Sequence, residues 1–485
     1  MISMKRQWLA RTLLLALGVL AIGGLFAGGS SGCGDSGGGG GGSGLGGATT
    51  VTGTALAANG TDPIAGATVF IPGTPTALTV AGGKSIVQAT CDGAVVECDD
   101  PPVGSCASVC TCADGTYTLD TSACPADSTT IRYCKGSFCG EATLDCADNP
   151  DACTANIVGS TASGSTANIA VVTGSFDEIQ NVLAKLGFGT VNEFGELELG
   201  TESFDLYDGD GSLGGTYPDS SALFGSLSAM QAYDIIFINC GTNEDPAAAL
   251  ALQALVAEVG PEAAHTAYHV AGLKAVSTDL ASRIRSYIEG GGTIFATDLA
   301  YDYVEQSVPE FMNFEGDGTD VATAETPDIA QTGTSGIVSN ATVMDGTMSS
   351  WLEGRSSNTI DTADSPGNSC TTTVNGSSTS LLDPSADTIR IGDFLAGWGV
   401  MEGKHSGIGS ETFVWIQGPV DFTDPDDFSA QNGVVRPLTA TRRVGSGCVL
   451  YSSYHTSHSC ATEGFWPQER VLQYLVFETA GRCVP

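Results

Sequence analysis

The stretch Ser282-Arg-Ile-Arg-Ser-Tyr-Ile-Glu-Gly-Gly-Gly-Thr-Ile-Phe-Ala-Thr-Asp-Leu-Ala-Tyr-Asp302 decides the fold of the larger part of this chain. Ile284, Tyr287 and Ile288 recur at helical spacing, and Gly290 to Gly292 stop the helix where a left-handed residue is needed. Thr293 to Ala296 then form a short apolar β run that exits sharply at Thr297-Asp298-Leu299. Helix, glycine stop, buried strand and second turn make an α/β unit. Its exit lies at the carboxyl edge of a sheet, where open α/β folds place ligands and catalytic groups.

Working outward, Asn168-Ile-Ala-Val-Val-Thr173 reads as another short buried strand, followed by Phe176, Ile179, Val182, Leu183 and Leu186 at helical spacing and Gly187 as the stop. Tyr233 to Gly241 repeats the pattern, with Ala248 to Val259 and Asp279 to Glu289 as helices. Gly445 to Tyr454 is a late strand leading to His455-Thr-Ser-His458, and Pro467 to Glu478 is a closing helix. Strands alternating with helices in this way predict a mainly parallel sheet covered on both faces. Phe311 to Asp393, rich in Ser, Thr, Asp and Gly, interrupts the alternation as a long insertion.

At the other end, Lys5, Arg6 and Arg11 precede an apolar run from Leu13 to Phe26, so residues 1–32 read as an export signal, too short and glycine-rich for a permanent membrane helix. Ser30-Ser31-Gly32-Cys33 resembles the lipobox of bacterial lipoproteins, although Ser30 stands where Leu is commonest. The resemblance implies a lipid anchor on Cys33, with release by the ordinary secretory peptidase as the alternative. Residues 33–48 continue as a Gly/Ser tether. The expected organisation is therefore a signal at 1–32, an anchored tether at 33–48, a cysteine-rich β-sandwich at 49–160 and an α/β domain at 166–485 with the insertion near 311–393.

The sandwich is read from Thr50-Val-Thr-Gly-Thr-Ala-Leu56, from Pro63-Ile-Ala-Gly-Ala-Thr-Val-Phe-Ile71 after an Asn59-Gly60 turn, and from Asp114-Gly-Thr-Tyr-Thr-Leu119. These short motifs resemble the carboxypeptidase regulatory-like domains, a prealbumin-like or immunoglobulin-like family whose members serve as spacers or adhesive modules. Cys91, Cys98, Cys106, Cys110, Cys112, Cys124, Cys134, Cys139, Cys146 and Cys153 lie in this segment, an even number that five disulfides would satisfy. A zinc site fails on spacing, because the segment has no Cys-x-x-Cys and no His. The net charge of -37 offers no basic stripe for nucleic acid. Sixteen cysteines indicate an oxidising compartment, and hence an exported protein.

In the C-terminal part, Tyr233-Asp-Ile-Ile-Phe-Ile-Asn-Cys-Gly241, Tyr287-Ile-Glu-Gly-Gly-Gly-Thr-Ile294 and Gly447-Cys-Val-Leu-Tyr-Ser-Ser-Tyr-His455 are similar to the class I glutamine amidotransferase-like fold, a flavodoxin-like architecture, in its trehalose-utilisation (ThuA-like) branch. The amidotransferases carry Gly-x-Cys-x-Gly at the elbow, a late-strand His and an acid two residues beyond it. Here the elbow is Ala296-Thr297-Asp298-Leu299-Ala300, and Ser457 stands in the place of the acid. The departure implies that glutaminase activity is absent, and the ThuA-like resemblance implies a domain that binds a carbohydrate or envelope ligand.

Three other readings stay open. Asp298, His455 and His458 have ligand types suited to a metal and to a secreted hydrolase or isomerase; Cys240 with His455 or His458 is a thiol-base combination; and the chain could be a structural or adhesive envelope component. No cofactor is otherwise expected. Asp208 and Asp210 resemble a calcium loop only in acid and glycine content, since Leu213 stands where an EF-hand needs Gly. His265 and His269 lack the intervening Glu of a zinc-protease helix and read as an exposed pair. Five cysteines, Cys240, Cys370, Cys448, Cys460 and Cys483, leave at least one thiol unpaired within this part.

Overall fold

The computed structural model describes residues 44–72, 87–91, 94–161, 166–242, 255, 258–259, 276–316, 328–355, 382–383, 387–392, 394–405, 411–456, 464–481 and 483. The export signal, Cys33, His265, His269, Cys370, Ser457, His458 and Cys460 lie outside them.

The first half is a β-sandwich. Its strands are β1 (Thr50–Leu56), β2 (Thr68–Ile71), β3 (Val87–Cys91), β4 (Ala94–Cys98), β5 (Ala107–Cys110), β6 (Thr116–Asp120), β7 (Thr130–Lys135), β8 (Phe138–Thr143), β9 (Cys153–Thr154) and β10 (Ile157–Val158). One sheet runs β10-β1-β6 with β9 also on β1, the other β5-β2-β7-β8, and β3 and β4 form a separate hairpin. Period-2 alternation buries Val51 and Ala55 of β1, Tyr117 and Leu119 of β6, Val69 and Ile71 of β2, and Ile131 and Tyr133 of β7 in one core. The ten cysteines pair as 91–112, 98–110, 106–124, 134–139 and 146–153, as the disulfide reading expects. Each bridge restricts the unfolded chain, typically by about 2–4 kcal/mol, which compensates a small core crossed by long loops.

The second half is built on strands β11 (Ile169–Val172), β12 (Asp205–Tyr207), β13 (Ile235–Ile238), β14 (Thr293–Thr297), β15 (Asn313–Phe314), β16 (Ser339–Val343), β17 (Leu382–Asp383), β18 (Thr388–Ile391), β19 (Met401–Gly403), β20 (Thr412–Thr423), β21 (Ala430–Val444) and β22 (Gly447–Ser452). Ten of these form one sheet in the order β12-β11-β13-β14-β22-β21-β20-β16-β18-β17. The first five strands pair in parallel. The remaining pairings are all antiparallel, so the sheet is mixed and the expectation of a mainly parallel one is corrected. The reason is in the connections. A parallel pair needs a crossover of a dozen or more residues, usually a helix, whereas β20, β21 and β22 follow one another through short turns that only antiparallel pairing can use. The insertion supplies β16, β17 and β18, which extend this antiparallel half.

The parallel half is apolar on both faces because both are covered. Ala170, Val172, Ile236, Ile238, Ile294 and Ala296 face helix α2 (Thr278–Glu289) through Leu280, Ile284, Tyr287 and Ile288. Ser277 caps that helix, accepting a hydrogen bond from the Leu280 amide, and Gly291 ends it at φ 114°, a conformation that favours glycine. On the opposite face, Ile169, Val171, Ile235, Phe237 and Phe295 join helix α1 (Ile179–Leu183) and the closing helix α5 (Pro467–Gly481) in a core shared with the sandwich. Two further helices, α3 (Tyr301–Glu305) and α4 (Gly346–Glu353), follow the elbow and sit in the insertion. Cys448 of β22 pairs with Cys483 beyond α5, tying the last helix to the sheet.

The halves meet through buried charges. Arg470 of α5 donates across the seam to Asp62 Oδ1 at 2.8 Å, and next to it Lys185 pairs with Glu469, within the second half, at 2.8 Å. Asn59 joins the pairs, its side-chain amide donating to Asp62 Oδ2 and to the Lys185 carbonyl. Trp351 of α4 donates its indole N–H to the Pro63 carbonyl at 3.2 Å. Gly187 is needed at this seam, because a Cβ there would lie 2.4 Å from the Asn59 nitrogen. Removing one partner of a buried pair leaves the other charge desolvated. Asp62→Ala is therefore expected to destabilise the whole unit by about 3–5 kcal/mol, read by urea unfolding, with sandwich and sheet probes moving together.

Candidate functional site

Three adjacent parallel strands, β13, β14 and β22, deliver one polar side chain each to the carboxyl edge of the sheet. Cys240 follows β13, Asp298 follows β14 and His455 follows β22. All three are withdrawn from solvent, with relative exposures of 0% for Cys240 and Asp298 and 2% for His455. His455 Nε2 lies 2.9 Å from Asp298 Oδ2, and Cys240 neighbours the imidazole. One ligand atom of each residue lies within 4.8 Å of the other two, and this is the grouping of three metal-competent side chains found among the described residues.

Backbone geometry fixes each member. Asp298 sits at φ 45°, a left-handed conformation that costs a non-glycine residue of order 1–3 kcal/mol and persists where its surroundings over-determine it. Tyr451 of β22 supplies part of that determination by donating its hydroxyl to the Asp298 carbonyl at 3.0 Å. The Cys240 amide donates to Thr297 Oγ1 at 3.1 Å, coupling the thiol's backbone to the elbow. The Cys240 carbonyl accepts from the Phe176 amide, and Gly174 permits the approach, since a Cβ there would lie 2.2 Å from that oxygen. Next to His455, the Thr456 amide and hydroxyl both donate to Asp177, 279 positions away in sequence.

The electrostatics follow from this enclosure. Burial alone pushes the His455 imidazole down, but the charge of Cys240 and hydrogen bonds to Asp298 and Cys240 outweigh it and hold His455 well above the ordinary 6.5. Burial, followed by the charge of Asp298, raises the Tyr451 hydroxyl, which therefore stays a donor. Asp302 and Glu305 of α3 are two more buried acids behind the elbow. Thiol, imidazole and carboxylate in contact can act as a nucleophile with its base and orienting acid, or as a mixed sulfur, nitrogen and oxygen ligand set.

Of the residues singled out in the sequence, Asp298, His455 and Cys240 come together, although their combination as a set of three was not anticipated. His458 falls outside the described residues. Asp208 and Asp210 stand apart from the set, at the end of β12. Asp210 accepts from the hydroxyls of Thr173, Ser175 and Ser212, and Asp208 from the Gly211 amide, so the two carboxylates close a loop. Burial and the charge of Asp210 raise the Asp208 carboxyl. Thr297, Asp177 and Tyr451 hold the site without any sequence signal, because their partners are remote in the chain.

No family model matches this chain, and no curated protein matches it. Among solved structures it is similar to the cytoplasmic protein STM3548 from Salmonella typhimurium, at 12% identity over 64% of this chain and 98% of that one, with a TM-score of 0.29.

The sign of the His455 shift gives a test in chelator-treated protein. A histidine whose folded value is raised contributes stability that is full below its unfolded value near 6.5 and is lost as pH rises through the folded value. Asp298→Asn removes one of the groups that raise it. The variant is expected to show a lower His455 titration by NMR and a smaller fall in unfolding free energy above pH 6.5.

Proposed function

We propose that the chain is an exported cell-envelope protein, held by a lipid on Cys33, whose α/β half is a non-catalytic binding domain for a carbohydrate or other envelope ligand. Six disulfides among the described residues require an oxidising compartment. No helix among those residues is long and apolar enough to cross a membrane. The parallel half, β12-β11-β13-β14-β22 with helices on both faces, supports a flavodoxin-like reading of amidotransferase type.

The observation that carries the non-catalytic reading is Asp298 at the elbow. Glutamine hydrolysis of the amidotransferase kind needs an exposed thiolate on that strained turn. Here the turn holds a buried carboxylate engaged with His455, while Cys240 lies on the neighbouring strand and is itself buried. The contact of Cys240 with His455 favours a second reading, a secreted hydrolase or isomerase.

Purified protein lacking residues 1–32 would be assayed for saturable binding to isolated envelope polysaccharide and, in parallel, for ammonia release from glutamine. The proposal expects binding without ammonia release. Ammonia release abolished by Cys240→Ala would contradict it. Cys33→Ala is expected to move the full-length protein from the membrane fraction to the soluble exported fraction and to abolish incorporation of labelled palmitate.

A further inference from the structure

Cys240, Asp298 and His455 supply one sulfur, one oxygen and one nitrogen from the same edge of three neighbouring strands, with β14 in the middle. The polar atoms lie within 4.8 Å of one another, a separation that ligands of one small ion can close by modest side-chain rotation. We propose that these three residues bind a zinc-class divalent cation.

Donor chemistry selects the class of ion. Calcium and magnesium take all-oxygen shells, whereas thiolate and imidazole together suit zinc and neighbouring first-row ions. A thiolate and a carboxylate with a neutral imidazole make a ligand set of charge -2, which a divalent cation neutralises inside a site shut off from water. Zinc is four-coordinate with ligands at about 2.0–2.3 Å, so three protein ligands leave one position for a further donor. On binding, the cation takes the place of the protons shared among thiol, imidazole and carboxylate, and these leave to solvent.

The surroundings act as an outer shell. The Cys240 amide is tied to Thr297, the Asp298 carbonyl to Tyr451, and the residue after His455 to Asp177. Such restraints fix the backbone from which each ligand side chain projects before the ion arrives. Burial also has a use for the thiol. In an exported protein whose other described cysteines are all in disulfides, enclosure keeps Cys240 reduced and available as a ligand.

The inference stands apart from the ligand-binding reading, because it concerns metal content and not what the domain recognises. The test uses the whole exported chain, chelated and then titrated with zinc or cobalt(II). The expected result is one ion per chain, a thiolate-to-cobalt charge-transfer band, and loss of both in Cys240→Ser and His455→Ala. Each variant is checked for the wild-type disulfide pattern and circular dichroism. If either fails to fold, Asp298→Asn and the wild-type band alone decide. Failure of the wild-type chain to take up either ion, uptake with no thiolate band, or uptake undiminished in a folded Cys240→Ser would overturn the proposal.

Discussion

A carboxylate removed entirely from water is tolerated only where its charge is answered, and the contact between Asp298 and His455 is where this fold meets that requirement. Asp298 reaches it by adopting a left-handed backbone at the end of β14, and His455 by following the adjacent strand β22. Register makes the meeting inevitable: Thr297 of β14 lies opposite Ser452 of β22, and Ala296 opposite Ile238 of β13. Once the strands are in place, Cys240, Asp298 and His455 emerge side by side. Tyr451 and Thr297 then hold the elbow in a conformation its own sequence would not favour.

The same need for compensation shapes the seam between the halves. Asp62 and Arg470 are charges that neither half would bury alone, and they answer each other across the junction, beside the Lys185–Glu469 pair that the second half buries within itself. Buried pairs of this kind contribute little net stability, yet they penalise any displaced arrangement heavily. The sandwich is thereby fixed against α1 and α5, on the sheet face opposite α2.

How much could be read from the chain alone follows from the range of the interactions. Four of the five parallel strands, β11, β13, β14 and β22, were legible because each is a short apolar run with local helix or glycine signals beside it, whereas β12, Asp205–Tyr207, is short and lies in an acidic stretch. The five sandwich disulfides were legible as a number, while their pairing depends on which strands lie adjacent. The antiparallel half was missed. Thr412 to Thr423 and Ala430 to Val444 alternate in polarity, but Pro419, Pro437 and two internal glycines obscure the pattern. At the site, Asp298 and His455 were found from their positions at strand ends. Their union with Cys240 could not be, because it requires the strand order β13-β14-β22, in which a late strand inserts beside the middle of the chain.

The central claim is that three strand ends build one centre of mixed sulfur, nitrogen and oxygen character. X-ray absorption at the zinc edge of the zinc-loaded chain tests it most directly. The account predicts one sulfur scatterer at about 2.3 Å with the remaining ligands nitrogen or oxygen near 2.0 Å. A first shell of nitrogen and oxygen alone would contradict it, since the ion would then sit somewhere Cys240 does not reach.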